Sequence, residues 1–253
     1  MALMAGACTG NGDDPPPSTT RPSAPSTTAA PPVDGRAAAD RFFDALASRD
    51  PARGSDLLSA TAPGSLAQRY AIHQAAARGI LGVAEPGSIE RGPGRTLVCS
   101  APAVPEQDTV CTEFRDLVFD QEGLVQEFTL GGLALDGRLV VNGPAVTVDR
   151  ITVREVSAYR SPTSETTMIV LDVANDADDT FELFGFAATY RPSEDAAAIE
   201  ADASWGGSRI EAGDTGQVLI RFADAELGGV LQVTGWSDAG VGLTFAVRIA
   251  ADA

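Results

Sequence analysis

The stretch Leu243-Thr244-Phe245-Ala246-Val247-Arg248-Ile249 carries an apolar side chain at every second position. A β-strand points successive side chains to opposite faces, so this alternation is typical of a strand with one buried and one solvated face. The same period of two recurs in residues 169–173 and 218–222. Repeated strands of this kind predict that residues 140–253 form an antiparallel β-sandwich.

Helical patterning precedes these strands. Apolar residues fall on one helical stripe between Asp34 and Asp50, and Asp50-Pro51 is typical of the start of a second helix. A third helix is predicted from Leu66 to about Gly79, and strands are then predicted at residues 96–99, 109–119 and 123–130. Helices followed by an antiparallel sheet indicate an α+β unit over residues 36–135. The chain as a whole is therefore predicted to be α+β, with two domains.

The first unit resembles the NTF2-like (SnoaL-like) family, in which a curved sheet wraps around helices and leaves a cavity. The motifs that carry this resemblance are Phe42-Phe43-Asp44-Ala45-Leu46, Asp50-Pro51, Leu57-Leu58, Leu117-Val118-Phe119-Asp120 and Gly123-Leu124-Val125. Members of this family include isomerases, dehydratases and non-catalytic domains of secreted proteins. The resemblance implies a cone-shaped fold with an internal cavity.

The second unit resembles the immunoglobulin-like (DUF4352, telokin-like) domain of bacterial surface lipoproteins. The resemblance rests on Val170-Leu171-Asp172-Val173-Ala174-Asn175-Asp176 and on residues 210–214 leading into Gln217-Val218-Leu219-Ile220-Arg221-Phe222. It implies a domain that mediates binding or spacing.

The N-terminal residues 1–8 resemble the end of a bacterial lipoprotein signal. Ala5, Gly6 and Ala7 are small residues of the kind a signal peptidase accepts, and Cys8 would then carry the lipid. Residues 9–35 are rich in Pro, Ser and Thr and are predicted to be a disordered linker. The charged leader and most of the apolar stretch of such a signal are missing, so the native start is expected upstream of Met1. The alternative is that Cys8 is an incidental cysteine.

The remaining cysteines, Cys99 and Cys111, flank a loop between two predicted strands. A hairpin disulfide between them is geometrically reasonable and would need an oxidising compartment. Together with Cys8, this pair predicts an extracytoplasmic protein anchored to the cell membrane by lipid. The alternative is a cytosolic protein with two reduced thiols.

The chain has a net charge of −17, from 35 acidic residues against 18 basic residues that are all Arg. This balance disfavours nucleic acid as a partner, because phosphate binding needs a basic face. Arginine without lysine indicates a high-GC coding sequence, as in high-GC Gram-positive bacteria. The favoured explanation of the acidic charge is solubility; the alternatives are that the acidic sandwich docks a basic partner or is held away from an anionic envelope.

Few residues are candidates for a metal, catalytic or binding site. Asp176, Asp178 and Asp179 crowd one turn, but their spacing is not that of an EF-hand calcium loop, so no metal and no cofactor is predicted. His73 is the only histidine, and we expect a partly exposed helix residue rather than a catalytic base. Core or corner packing is favoured for Trp205, which would be a candidate binding surface if exposed; His73 is the other possible binding residue.

No catalytic residues are predicted. The favoured function is a non-catalytic binding or scaffold module at the cell envelope. One alternative is a carrier that holds a small apolar ligand in the cone cavity. Another is a small-molecule isomerase or hydrolase, which would need His73 in that cavity beside a carboxylate.

Overall fold

The computed structural model describes residues 34–82, 84–100 and 109–250, and it confirms the predicted α+β class. Three α-helices come first and antiparallel sheets follow. Cys8 and residues 9–33 of the predicted linker lie outside this part of the chain. Within the described ranges, the helices are too short or too polar to cross a lipid bilayer.

Side chains cap the starts of two of the four helical segments. They are α1 (Arg36–Ser48), a 3-10 turn (Pro51–Arg53), α2 (Gly54–Ser59) and α3 (Leu66–Leu81). The Asp50 carboxylate accepts a hydrogen bond of 2.9 Å from the backbone N–H two residues later, and the Ser65 hydroxyl accepts one of 3.1 Å from that of Gln68. Each bond satisfies a donor that a helix start leaves free. The helix α3 continues two residues beyond its predicted end and stops at Gly82, where φ is +79°.

The helices pack on a five-stranded antiparallel sheet with strand order β1-β2-β3-β4-β5. Its strands are β1 (Ser88–Gly92), β2 (Arg95–Ser100), β3 (Val110–Phe119), β4 (Val125–Leu130) and β5 (Leu133–Ala134). Cys99 and Cys111 lie directly opposite each other on β2 and β3, at disulfide-bonding distance, as predicted. On the chain-entropy estimate, a bond that closes so short a loop stabilises the fold by about 3 kcal/mol.

The aromatic side chains of this first half form one cluster. Their ring centroids lie 5.2 to 6.2 Å apart, mostly edge to face, in the set Phe42, Phe43, Tyr70, Phe114, Phe128 and Tyr159. Edge-to-face pairs of this kind add to the stabilisation that burial alone provides. One of the rings, Tyr159, comes from the second half of the chain, and Leu139 also joins this core.

The second half consists of two six-stranded antiparallel sheets that share one core. We call the first the helix-side sheet; its order is β13-β15-β9-β8-β6, with β7 also paired to β8. The second is the far sheet, with order β12-β11-β16-β10-β14 and β17 paired to β16. The strands are β6 (Leu139–Val141), β7 (Ala145–Val148), β8 (Ile151–Arg160), β9 (Thr167–Asn175), β10 (Phe181–Leu183), β11 (Thr189–Arg191), β12 (Ile199–Glu200), β13 (Ala203–Gly206), β14 (Arg209–Ile210), β15 (Thr215–Phe222), β16 (Val230–Ser237) and β17 (Gly242–Arg248).

The helix α3 joins the two halves. One side of it faces the aromatic cluster through Tyr70, which is buried there. The other side places Ala77 in a small buried cluster with Val170 of β9 and Leu219 of β15. The helix therefore covers part of the outer face of the helix-side sheet, and the uncovered part of that face lies beside the end of α3.

Candidate functional site

The uncovered part of the helix-side sheet forms the floor of a groove of about 810 Å³. Its floor carries a row of three polar side chains on adjacent strands: Gln217, Asp172 and Arg154 lie directly opposite one another. Gln217 Nε2 donates to Asp172 Oδ1 at 2.7 Å, and Arg154 Nη2 donates to Asp172 Oδ2 at 2.6 Å. The row lies two residues along the strands from Leu219 and Val170, the pair that α3 covers. We call this depression the junction groove.

The walls of the junction groove are mostly backbone. Gly79 and Ile80 at the end of α3 form one side, and Gly206 and Gly207 form the adjacent rim. Gly206 has a φ of +111°, and a Cβ there would lie 2.2 Å from the Gln217 carbonyl oxygen. A larger residue could not occupy this position without displacing β15. The glycines therefore keep the rim low and expose backbone polar groups beside the floor.

The charges on the floor compensate each other. The side chains of Arg154 and Asp172 are 52% and 29% exposed, so the ion pair adds little stability in water. The ion pair instead determines what the groove offers a ligand: hydrogen-bond donors and acceptors rather than a net charge. Such a floor suits a polar ligand that can exchange hydrogen bonds with it.

Trp205 lies on the edge strand β13, and 37% of it is exposed. It is opposite Leu219 on the outer face of the helix-side sheet, and the Arg221 guanidinium lies 5.5 Å from its ring centroid. Trp205 does not line the junction groove, but its neighbour Gly206 does. Its proposed part in binding stays a prediction.

His73 is fully buried, so the expectation of a partly exposed helix histidine is wrong. The sequence could not show that β8, more than 80 residues later, packs on this face of α3. His73 Nδ1 lies 2.9 Å from the hydroxyl oxygen of Ser157, which is also fully buried, and Nε2 has no hydrogen-bond partner among the described residues. Burial lowers the pKa of His73 to about 3.

This environment is unfavourable for catalysis. The observed partner of His73 is a serine hydroxyl, whereas the isomerase or hydrolase alternative needs a carboxylate. A histidine with a pKa near 3 is a weak base at neutral pH. His73 lines a small cavity, but none of the described residues that line it is a carboxylate.

A smaller cavity of about 190 Å³ lies between α1, α3 and strands β2 and β3. Its lining mixes apolar side chains such as Phe114 and Met168 with His73, Tyr70 and Arg78. The Arg78 guanidinium donates to the backbone carbonyls of residues 45 and 46 at the end of α1, at 2.7 and 2.6 Å. The cavity thus has an apolar interior and a polar side, and it is far smaller than the junction groove.

In the part of the chain that the structure describes, no three His, Cys, Asp or Glu side chains are grouped to hold a metal ion. Asp178, one of the crowded acids of the β9–β10 turn, forms an ion pair of 2.9 Å with Arg150. The predicted lipid-attachment residue Cys8 lies outside the described residues.

Sequence reasoning missed the polar row of the junction groove. Asp172 and Gln217 each stand at an outward position of an alternating strand, which was the available signal. No local feature of the sequence indicates that α3 leaves these two positions uncovered while it buries their neighbours. Glu155, a fully buried carboxyl on β8, was missed for a similar reason, because a glutamate in a strand is ordinarily assigned to the wet face.

Comparison with known proteins found no matching family profile and no similar curated protein.

Proposed function

We propose that this protein is a non-catalytic binding or scaffold module of the cell envelope, anchored by lipid on Cys8, and that the junction groove is its binding surface. The observation that carries the proposal is the groove itself: an open depression with a hydrogen-bonded polar floor and glycine rims. The proposal includes an NTF2-like first half over residues 36–135 and an immunoglobulin-like second half over residues 140–253.

Charge supports a protein as the partner. Residues 136–253 contain 19 acidic side chains and eight arginines, so the half that carries the groove is strongly acidic. The net negative charge of this half attracts a basic protein at long range, while the polar row supplies hydrogen bonds at contact. Association of this kind weakens as salt is raised.

Site-specific photo-crosslinking in the native host tests the groove. A photoreactive amino acid replaces Gln217 on the groove floor, and the matched control places it at Thr244, an exposed outer position of β17 on the far sheet. We expect the Gln217 position alone to give a discrete crosslinked species, and Asp172→Asn in the same chain to weaken it. Identical products from both positions would contradict a binding role for the groove.

Intact mass measurement of the protein from the host membrane fraction, without reductant, tests the anchor. A diacyl or triacyl addition on Cys8 is expected, together with the loss of two hydrogens from Cys99 and Cys111. An unmodified, fully reduced soluble chain would overturn the envelope location.

The smaller cavity favours a second candidate function, a carrier of a small apolar ligand. A volume of about 190 Å³ suits one aromatic ring or a short alkyl chain, since engineered apolar cavities of about 150 Å³ bind benzene. Binding of indole, followed by NMR, tests it. Val98→Phe should fill the cavity and abolish binding, whereas Val118→Phe, at a position 45% exposed, should not. Indole binding that is equal in both variants would rule out this cavity as the site.

A further inference from the structure

Among the described residues, two arginines in the second half of the chain have no acidic partner. Six of its eight arginines form ion pairs: Arg138, Arg150, Arg154, Arg160, Arg209 and Arg221. Within the described residues, Arg191 and Arg248 form neither an ion pair nor a side-chain hydrogen bond. In a chain with a net charge of −17, acidic side chains are abundant, so two unpaired guanidinium groups in one place are unexpected.

The strand register brings these two arginines together. Arg191 of β11 and Arg248 of β17 both pair with Val230 of β16, one from each side. Neighbouring strands lie about 4.8 Å apart, so the two Cα atoms are about 10 Å apart across the sheet. Tyr190 and Val247 point into the core, so the adjacent arginines point outward on the same face. Two side chains of this length can converge on a group that lies over Val230.

A pocket of about 250 Å³ lies at this point on the far sheet. Both arginines line it, and the next row of the sheet adds the Thr189 hydroxyl and the Gln232 amide, which lie opposite each other. These groups surround the space over Val230 with hydrogen-bond donors. Glu194 is the acidic residue among those lining the pocket, and it pairs with neither arginine.

We propose that this pocket binds the phosphate group of a small phosphorylated molecule. Two guanidinium groups that approach from opposite sides match the several oxygens of a tetrahedral phosphate, and hydroxyl and amide donors complete such a site. A carboxylate would be satisfied by one arginine alone. Because the surrounding sheets are acidic, a free phosphate ester is favoured over the headgroup of an anionic lipid bilayer, which the protein's charge would repel.

The test is an NMR titration of the full chain with inorganic phosphate at constant ionic strength. We expect saturable shifts of the backbone amides of residues 189–191 and 230–232. Arg191→Gln and Arg248→Gln should each weaken binding at least tenfold. The matched control, Arg41→Gln, removes the same charge from an exposed arginine of α1 that has no ion pair among the described residues, and it should leave binding within twofold. Glu194→Gln should tighten it, because a repulsive carboxylate is removed.

Vesicles containing phosphatidylglycerol, compared with phosphatidylcholine vesicles, separate the two sources of phosphate. Arginine-dependent binding to the anionic vesicles would assign the site to a lipid headgroup, and arginine-dependent binding of inorganic phosphate alone would assign it to a soluble ester. Shifts that do not saturate, or that Arg41→Gln reduces as much as Arg191→Gln does, would overturn the proposal.

Discussion

His73 remains neutral in the folded protein because its ring is buried, with a pKa of about 3. In the unfolded chain its pKa returns to about 6.5, so below that pH the unfolded state binds a proton that the folded state does not. The free energy of unfolding should therefore fall as pH drops from about 6.5 toward 3, by about 1.4 kcal/mol per pH unit from this residue.

His73→Phe removes this dependence. At neutral pH we expect the variant to be less stable by about 1–2 kcal/mol, because the buried Ser157 hydroxyl loses its partner. The informative quantity is the slope of unfolding free energy against pH, measured by urea unfolding between about pH 4 and pH 7. An unchanged slope in His73→Phe would show that the histidine does not titrate as its burial requires.

Glu155 changes stability with pH in the direction opposite to His73. Its carboxyl is fully buried on β8 and accepts no hydrogen bond among the described residues, and desolvation raises its pKa to about 7. The folded state therefore keeps a proton that the unfolded chain releases above about pH 4.5. The free energy of unfolding should therefore fall as pH rises from about 4.5 to about 7, by about 3 kcal/mol in total from this residue.

Glu155→Gln should abolish this loss and make the protein more stable at about pH 8 than the parent. In the unmodified protein, Glu155 and His73 change the free energy of unfolding in opposite directions between about pH 4.5 and 6.5. Replacing one of them should therefore leave the pH dependence that the other contributes. Glu127→Gln on β4 is the control, since that side chain is exposed. Equal pH profiles for the two glutamine variants would refute a buried, protonated Glu155.

At the scale of one element, Asn175 fixes the end of β9. It is fully buried, and its Nδ2 donates to the backbone carbonyls of Asp179 and Ile210 at 2.8 and 2.9 Å, while its Oδ1 accepts from the N–H of Ala177 at 3.0 Å. One side chain thus ties the β9–β10 turn to β14. A local hydrogen-bonding residue at a strand end is common, but here the bond to Ile210 is buried and the other two are partly buried.

Asn175→Asp keeps the shape and replaces the donor by an oxygen that faces two carbonyls. We expect a loss of about 2–4 kcal/mol at neutral pH in thermal or urea unfolding. The loss should shrink on acidification, because a protonated carboxyl can donate one of the missing bonds. Asn175→Ala is the matched comparison: it should be destabilised without this pH-dependent recovery, and the same recovery in both variants would contradict the explanation.

At the scale of the whole molecule, α3 makes the two halves share a core. Ala77 packs with Val170 and Leu219 on one side of the helix, and Tyr70 packs with Tyr159 on the other. Both tryptophans are in the second half and all three described helices are in the first. Tryptophan fluorescence and helical circular dichroism therefore follow different halves, and we expect their thermal transitions to coincide.

Ala77→Glu should separate these two transitions, because it places a charge between α3 and the helix-side sheet. Ala37→Glu, on an exposed face of α1, is the control and should leave them coincident. Two transitions in the unmodified protein would mean that the halves fold independently and that the α3 contact contributes little.

The sequence by itself determined many of the elements. Periods of 3.6 and 2 are local properties, so the three helices, the helix start at Asp50 and the long strands β9, β15 and β17 were predictable. The opposition of Cys99 and Cys111 also followed, because two strands joined by a short connection form a hairpin.

Only the tertiary structure decided what each face of an element touches. Burial of His73 against Ser157, and of Glu155 inside the two-sheet core, depends on which strand packs where, and chain separations of many residues leave that undetermined locally. The junction groove exists because α3 covers one row of the helix-side sheet and stops before the next. Likewise, Arg191 and Arg248 meet over Val230 only through sheet register, since pairing between distant strands is set by the packing of the whole chain and not by the residues next to them.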